Sequence, residues 1–257
     1  MNKITQIFKD NKAFIAFLTA GDPTLAKTEE LILAMDAAGA DLIEIGIPFS
    51  DPVAEGEVIQ RANQRALFQG TTTDHIFTMI KNIRTKTTIP LVFLTYINPI
   101  FTYGSEKFLT NCAACGIDGL IIPDLPFEER APLHNLAKAY GITIISLIAP
   151  TSTDRIHKIA KAAEGFIYCV SSLGVTGVRS EIKTDLKSII DTIHQTTTLP
   201  IAVGFGISTP RQATLIKKYA DGIIVGSAIV KIIEQHKENA TTPLTDYIKI
   251  MKAALDQ

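Results

Sequence analysis

The sequence predicts an α/β protein whose parallel strands close into a (β/α)8 barrel, and three observations lead to this prediction. The chain has 257 residues, close to the roughly 250 that are typical of this fold. Eight short apolar runs recur along it, separated by segments with apolar residues at three- and four-residue spacing. Strands that are apolar on both faces and alternate with helices form a parallel sheet, which eight such units can close into a barrel. An open, doubly wound sheet is the alternative architecture.

The first predicted element is a short extra helix at the N-terminus. Within residues 1–12, Ile4, Ile7 and Phe8 fall on one helical face, so this helix would lie across one end of the fold. The predicted strands follow in order. They are residues 14–19, 42–47, 91–96, 120–123, 143–148, 166–170, 201–204 and 222–225.

Amphipathic helices are predicted between these strands, for example where apolar residues recur with helical spacing at 31–38 and 76–83. In the second unit, Gly70 and the threonines at 71–73 are typical of a helix end followed by a new helix cap. This pattern predicts an extra helix over residues 58–69, after the second strand. No segment has the composition of a linker, so residues 1–257 are predicted to form a single domain.

Composition excludes several classes of protein. The net charge is −1 without a basic block, which argues against nucleic-acid binding. No apolar run reaches the roughly 18 residues of a membrane span, and the N-terminal residues have no apolar core of a signal peptide. Three cysteines do not suggest a disulfide framework. We therefore expect a cytoplasmic protein that binds neither nucleic acid nor membrane.

The carboxyl ends of the strands are where active sites of (β/α)8 barrels lie. Polar or special residues at these ends are therefore candidates, although several of them are equally typical of structural turns. The candidates are Thr19, Gly21, Asp22, Glu44, Tyr96, Asn98, Asp124, Ser171, Gly204 and Gly226.

Glu44 interrupts the apolar pattern of the second strand. Burying a carboxylate without a partner is costly, so the residue is either ion-paired inside the core or a catalytic acid or base with a raised pKa. The loop that follows, residues 48–57, carries three more carboxylates, Asp51, Glu55 and Glu57. This concentration of negative charge beside one strand end favours the catalytic interpretation.

Glycine-bearing segments follow the last three strands, at 174–177, 204–208 and 226–230. Glycine allows backbone amides to approach a ligand, and a helix N-terminus behind the loop favours negative charge. Loops after the seventh and eighth strands are the recurrent phosphate site of this fold. The segments indicate a phosphorylated small metabolite, although each alone would also suit a tight turn.

Residues 41–60, DLIEIGIPFSDPVAEGEVIQ, closely resemble the sequence signature of the tryptophan synthase α-subunit family. Further matches are FLTAGDP at 17–23, YINP at 96–99, DLP at 124–126, GVTG at 174–177, GFGIS at 204–208 and GSAIVKIIEQH at 226–236. The resemblance implies a lyase of tryptophan biosynthesis that cleaves indole-3-glycerol phosphate to indole and glyceraldehyde 3-phosphate. It also implies a complex with a β subunit, as an α2β2 tetramer.

The resemblance also assigns residues to catalysis. Glu44 matches the general acid and base. Glu55 stands where the family normally has an aspartate that accepts the indole N–H hydrogen bond, so this chain keeps the charge on a side chain one methylene longer. Glu57 replaces a usual proline, which makes the loop less rigid.

Substrate and partner contacts follow from the same resemblance. The residues expected to hold the indole ring or to position the catalytic loop are Phe17, Leu94, Ile121, Tyr168 and Thr176, and those expected to bind the phosphate are Gly177, Gly206, Gly226 and Ser227. The β subunit would contact Pro48, Asp51, Asn98 and Pro99. No metal or cofactor is implied for this chain, because the pyridoxal phosphate of the complex belongs to the β subunit.

Two other functions remain open at this point. One is a catalytically weak subunit that only activates its β partner, against which the costly buried Glu44 and the retained carboxylate of Glu55 argue. The other is a different phosphate-binding barrel enzyme, such as a sugar-phosphate isomerase, which would have no need of the IPFSDP segment. The Cys112/Cys115 pair lies at the end of a helical pattern, and the histidines lie in helical segments without metal-ligand spacing, so both are interpreted as structural.

Overall fold

The computed structural model describes residues 3–171, 186–204 and 206–256, and its centre is a barrel of parallel strands. The strands are β1 (Ala13–Thr19), β2 (Leu42–Gly46), β3 (Leu91–Leu94), β4 (Gly119–Ile121), β5 (Thr143–Ile144), β6 (Ser146–Ile148), β7 (Ile167–Val170), β8 (Ile201–Gly204) and β9 (Gly222–Val225). Neighbouring strands pair in the order β5-β4-β3-β2-β1-β9-β8-β7-β6.

The fifth strand of the barrel is split into β5 and β6 by a single residue, Ile145. Its first half pairs with β4 and its second half with β7, so the two halves together join the edges of the sheet. Counted this way, eight parallel strands close the barrel. The predicted (β/α)8 fold is therefore confirmed, and the open sheet is excluded.

Helices surround the barrel, and both predicted extra helices are present. The short N-terminal helix is α1 (Lys3–Gln6), and the helix predicted over residues 58–69 is α3 (Glu57–Phe68). The sequence patterns did not predict α5 (Ile97–Tyr103) or α12 (Thr241–Asp256). The other helices are α2 (Leu25–Ala37), α4 (Thr73–Arg84), α6 (Ser105–Cys115), α7 (Ala131–Ala139), α8 (Thr153–Lys161), α9 (Leu186–His194), α10 (Pro210–Ile216) and α11 (Ser227–His236).

The core has two layers because strand residues alternate between the two faces of the barrel wall. The outer layer packs the strands against the helices, and the inner layer fills the barrel. The inner layer includes Ile15, Leu42, Val92, Ile121, Ile145, Phe166, Tyr168, Ala202 and Ile224. A packed barrel of this kind is a core rather than a channel.

The N-terminal segment closes the end of the barrel at which the strands begin. Ile4 is fully buried, and the rings of Phe8 and Phe166 lie 5.5 Å apart between centroids. Gly119 and Gly222 leave room for this segment, since a Cβ on Gly119 would lie 2.9 Å from Ile4 Cδ1 and one on Gly222 3.1 Å from Phe8 Cε1. Access to the barrel is thus left to the opposite end, where the strands finish.

No helix within the described ranges combines the length and the apolar character that a bilayer span requires.

Candidate active site

A cavity of about 460 Å³ opens at the carboxyl ends of the strands. Side chains from several strands and from the loops that follow them line it. Those relevant to the predicted site are Phe17, Glu44, Glu55, Leu94, Tyr96, Tyr168, Gly206, Gly226 and Ser227. Both catalytic candidates and most of the predicted substrate- and phosphate-binding residues therefore share one cavity, at the end of the barrel where this fold places its chemistry.

Glu44 lies in β2, opposite Phe17 of β1 and Val92 of β3, and its side chain belongs to the barrel interior. The residue is 1% exposed, and neither carboxylate oxygen has a hydrogen-bond partner among residues 3–171, 186–204 and 206–256. Burial, and then the nearby charge of Glu55, raises its pKa to about 8. A buried carboxyl group that keeps its proton at neutral pH and faces a cavity is suited to act as a general acid.

If Glu44 had only a structural role, its buried carboxylate would need an ion pair inside the core. In the described part of the chain no lysine or arginine forms one with it. The barrel therefore carries the cost of this carboxyl group without a compensating cation, which is typical of a functional position rather than a structural one.

Glu55 lies in the loop between β2 and α3, and it is also buried. One carboxylate oxygen, Oε2, accepts a hydrogen bond from Asn63 Nδ2 at 2.5 Å, and the Tyr96 hydroxyl donates another to the carboxylate. Burial raises the pKa of Glu55 to about 7, and the hydrogen bonds from Asn63 and Tyr96 oppose that rise. Glu55 is thus held in place, and with a pKa of about 7 it is roughly half ionised at pH 7.

Helix α3 supplies two of the groups that hold Glu55. Gln60 Nε2 donates to the backbone oxygen of Glu55 at 2.7 Å, and Asn63 binds its side chain. Sequence reasoning did not find either residue. A signal for Asn63 existed, because it lies among the apolar positions Ile59, Ala62 and Ala66 on the buried face of an amphipathic helix.

The aromatic rings of the cavity wall are accommodated by glycines at the strand ends. A Cβ on Gly46 would lie 2.8 Å from Phe17 Cζ, and a Cβ on Gly204 would lie 2.5 Å from the Tyr168 hydroxyl oxygen. A Cβ on Gly226 would lie 3.2 Å from Phe17 Cδ1. These glycines leave the space in which the two rings lie, a role in packing that the sequence pattern alone did not reveal.

The predicted ring contacts occupy two positions. Phe17, Leu94 and Tyr168 line the cavity. Ile121 does not, because it is fully buried in the inner layer of the barrel, and its neighbour Ile122 lines the cavity instead. Burial, and then the charge of Glu44, raises the pKa of the Tyr168 hydroxyl, so this group stays neutral. Thr176 lies outside the described residues.

The predicted phosphate contacts converge on the start of α11. Gly226 precedes the helix, Ser227 is its first residue, and Gly206 after β8 lines the same cavity with a φ of +81°. The N–H groups in the first turn of a helix have no partner within it, and the helix dipole adds positive potential there. Gly177 lies outside the described residues.

The residues predicted to meet a partner lie beside the cavity mouth. Asp51 and Asn98 are exposed, Pro99 is half-buried, and Pro48 is buried, so Pro48 can act only by shaping the loop. Two large apolar side chains nearby point to solvent, Val53 of the loop after β2 at 70% exposure and Phe101 of α5 at 68%.

Other candidates have structural roles. Asp124 Oδ1 accepts a hydrogen bond from Ile97 N at 3.0 Å and so fixes the start of α5, while Asp22 is paired with Arg65. Cys112 and Cys115 are buried at the end of α6, and burial raises the pKa of both thiols. Among the residues that the structure describes, no group of three or more His, Cys, Asp or Glu side chains is placed to hold a metal ion.

Comparison with known proteins identifies a family over nearly the whole chain. The family model for the tryptophan synthase alpha chain matches residues 4–256. The tryptophan synthase alpha chain of Lactiplantibacillus plantarum is 52% identical over 257 residues, which covers 100% of this chain and 97% of that protein. The alpha chain of Thermoanaerobacter pseudethanolicus is 47% identical, covering 99% of this chain and 100% of the relative.

Solved structures agree with the sequence comparison. The crystal structure of tryptophan synthase subunit alpha from Legionella pneumophila has a TM-score of 0.91 at 34% identity, covering 100% of this chain and 99% of that one. A chain of the tryptophan synthase complex from Pyrococcus furiosus has a TM-score of 0.86 at 35% identity, covering 94% and 98%. The cavity with two buried carboxyl groups is thus found on a chain that belongs to the tryptophan synthase alpha chain family.

Proposed function

We propose that Glu44 and Glu55 perform the chemistry by which this chain, a member of the tryptophan synthase alpha chain family, cleaves indole-3-glycerol phosphate to indole and glyceraldehyde 3-phosphate. The observation that carries this assignment is the pair itself. Two buried carboxyl groups face one cavity in different surroundings. Within the described residues the Glu44 carboxyl group has no hydrogen-bond partner, whereas Asn63 and Tyr96 donate to the Glu55 carboxylate and favour its charged form. Such different surroundings separate a proton-donating acid from a charge-stabilising carboxylate.

Glu44 is suited to the proton transfers. Cleavage of the bond between the indole ring and the glycerol chain needs a proton delivered to the ring carbon and a proton removed from the adjacent hydroxyl. A protonated Glu44 can deliver the first proton, and the carboxylate it leaves can accept the second. General acid and base catalysis of this kind contributes about 10² to 10⁴-fold in rate.

Glu55 is suited to stabilising the positive charge that spreads onto the indole nitrogen. Asn63 binds one of its oxygens, which leaves acceptor capacity on the carboxylate for the indole N–H. Because the Asn63 and Tyr96 contacts hold the group before substrate arrives, little reorganisation is needed when the charge develops. The usual family residue is a shorter aspartate, so the loop of this chain must hold Glu55 slightly farther from the ring.

The remaining cavity residues would bind the two ends of the substrate. Phe17, Leu94 and Tyr168 would contact the indole ring, with Ile121 supporting them from the barrel interior. The phosphate would accept backbone N–H hydrogen bonds from Gly206, Gly226 and Ser227 at the start of α11, and from Gly177. Thr176 would help to position Glu55.

This chain would work with a β subunit in an α2β2 complex in the cytoplasm, as one domain over residues 1–257. The exposed Asp51 and Asn98, together with Pro99 and the loop shaped by Pro48, would form the contact surface. Pyridoxal phosphate would be held by the β subunit rather than by this chain. The complex from Pyrococcus furiosus is a precedent for such an assembly in the family.

The test is the release of indole from indole-3-glycerol phosphate by the purified chain, with and without a β subunit, beside the Glu44→Gln and Glu55→Gln variants. We expect release that rises when the β subunit is added and that falls by at least about 10²-fold in each variant. Full activity in either variant would refute the role of that residue. A wild-type chain that releases no indole, yet accelerates the β reaction, would instead be an activating subunit.

A further inference from the structure

A cluster of four charged side chains joins α3 to α11 behind the cavity, and the proposed chemistry does not use it. Glu234 of α11 accepts hydrogen bonds from Arg61 Nε at 2.8 Å and Nη2 at 3.0 Å, and from Arg65 Nη1 at 2.8 Å. Arg65 also donates to both oxygens of Asp22, at 2.7 and 2.8 Å. We call Asp22, Arg61, Arg65 and Glu234 the α3–α11 ion-pair cluster.

The cluster is strongest at its inner end. Asp22 is 2% exposed and paired through two parallel hydrogen bonds, a geometry that makes arginine–carboxylate pairs both strong and directional. Glu234 is partly exposed, and the hydrogen bond from Arg61, with the charges of both arginines, lowers its pKa to about 2. The carboxylate of Glu234 is therefore ionised, and the link intact, throughout the neutral pH range.

The two helices that the cluster joins carry the two halves of the proposed site. Helix α3 holds Glu55 through Gln60 and Asn63, whereas α11 begins with Ser227 at the predicted phosphate position. On α11, Ser227, Val230 and Glu234 are spaced three and four residues apart, so they share one helix face.

That face of α11 packs against α3 beside the cavity. Val230 belongs to a small buried cluster with Phe17 of β1 and with Ile59 and Ala62 of α3. Apolar packing therefore joins the helices near the cavity, and the ion pairs join them one turn farther away. Apolar contacts are not directional, whereas bidentate ion pairs fix one relative position.

We propose that Glu234 is a positioning residue, which fixes α11 against α3 and thereby sets the separation between the carboxylate of Glu55 and the phosphate-binding end of α11. The inference rests on the proposed function, because it needs one ligand that reaches both places. A substrate that spans two subsites gains from their fixed separation, since its second contact forms without further loss of translational freedom. A fragment that occupies one subsite gains nothing from that separation.

Binding measurements on fragments test this directly. The ligands are indole, glycerol 3-phosphate and indole-3-propanol phosphate, an uncleavable molecule that spans both subsites. Isothermal titration calorimetry on the full chain measures the dissociation constant of each ligand. The variant is Glu234→Gln, which removes the charge with little change of shape. The matched control is Glu29→Gln, because Glu29 accepts from Lys86 at 2.7 Å, is 21% exposed against 26% for Glu234, and is outside the cavity wall.

For Glu234→Gln we expect roughly tenfold weaker binding of the spanning ligand, while both fragments keep their affinity within about twofold. The control should bind all three ligands like the wild type. Unchanged binding of the spanning ligand, or equal weakening of all three, would overturn the inference. If the wild-type chain fails to bind the spanning ligand, the proposed function is wrong and this inference falls with it, so the two failures are distinguishable.

Discussion

Asn63 donates a hydrogen bond from its side-chain amide to the carboxylate of Glu55, with 2.5 Å between Nδ2 and Oε2, and both residues are buried. The contact joins helix α3 to the loop that carries Glu55, the second catalytic candidate. Because a donor to a carboxylate favours its charged form, Asn63 keeps Glu55 more acidic than burial alone would leave it. Asn63, which takes no part in the proposed reaction, thereby favours the charged form of the carboxyl group of Glu55, which does.

Replacing Asn63 by leucine should therefore raise the pKa of Glu55 above about 7 and lower indole formation. Leucine has the branched shape of asparagine but is larger and cannot donate a hydrogen bond. The carboxylate of Glu55 therefore loses a donor, and its neutral form cannot stabilise positive charge on the indole nitrogen. We expect kcat/KM to fall by roughly 10 to 100-fold at pH 7 and to recover partly as the pH rises. Steady-state kinetics between pH 6 and 9 would measure this.

Gln60→Leu is the matched control for the Asn63 variant. It removes a donor from the same helix, but one that binds the Glu55 backbone oxygen rather than the carboxylate. It should lower activity without moving the pH profile. Identical pH profiles for Asn63→Leu and wild type would show that Asn63 has only a structural role.

The pH dependence of the wild type follows from the two carboxyl groups. Glu44 must carry a proton to act as an acid, so activity should decline above its pKa of about 8. Glu55 must be ionised, so activity should decline below its pKa of about 7. Because each charge affects the other group, the two limbs of the profile belong to the pair. We expect the kcat/KM of the wild type to be greatest between about pH 7 and 8, and we expect Glu44→Gln to change both limbs of the profile. A wild-type profile that is flat from pH 5 to 9 would contradict the assignment.

The stability of the protein should also depend on Glu44. Its pKa is raised in the folded state from 4.5 to about 8, so between these values the folded chain keeps a proton that the unfolded chain releases. The stabilisation by this proton is complete below pH 4.5 and is lost as the pH rises through 8. In Glu44→Gln this dependence disappears.

We therefore expect Glu44→Gln to gain stability relative to wild type as the pH rises from 5 to 9, by up to roughly 3–5 kcal/mol. Urea unfolding at pH 5, 7 and 9 measures the difference. Comparing the change with pH, rather than the absolute values, removes the constant cost of burying an unpaired amide in the variant. A difference in unfolding free energy that is the same at all three pH values would refute the raised pKa.

Much of the fold could be predicted from the sequence because its causes are local. Apolar strands, amphipathic helices and the cap residues after Gly70 are each visible within a few positions. Helix α5 was missed because Asn98 and Pro99 are typical of a turn, and because the group that fixes its first residue, Asp124, is 27 positions away along the chain. The interruption of the fifth strand at Ile145 likewise depends on which neighbour each half pairs with.

The residues of the site likewise include some that the sequence reveals and others whose roles only the folded structure reveals. Glu44 could be predicted because a carboxyl group within an apolar strand is conspicuous in sequence. The pairing of Glu55 with Asn63 and Tyr96 could not be predicted, although Tyr96 is a candidate in the sequence, because that pairing is defined only by the folded loop. The space that Gly204 leaves for Tyr168 depends on two strands that come together only in the barrel.

That last contact gives a prediction for Gly204. A Cβ there would lie 2.5 Å from both Cε1 and the hydroxyl oxygen of Tyr168, which is too close for either atom to remain in place. Gly204→Ala should therefore displace the tyrosine ring into the cavity, lower the free energy of unfolding by roughly 1–3 kcal/mol and weaken binding of the indole end of the substrate. Chemical denaturation and indole titration would measure the two effects.

A double-mutant cycle separates this clash from a general intolerance of alanine in β8. In a Tyr168→Ala background the ring is absent, so the added methyl group of Gly204→Ala has space and should cost almost nothing. We expect the cost of Gly204→Ala to fall by more than about 1 kcal/mol in that background, because residues in direct contact are not additive. Equal costs in both backgrounds would mean that the backbone of β8, rather than the ring, requires glycine. A lower cost of Gly204→Ala in the Tyr168→Ala background would instead show that this glycine makes room for the tyrosine ring in the cavity wall.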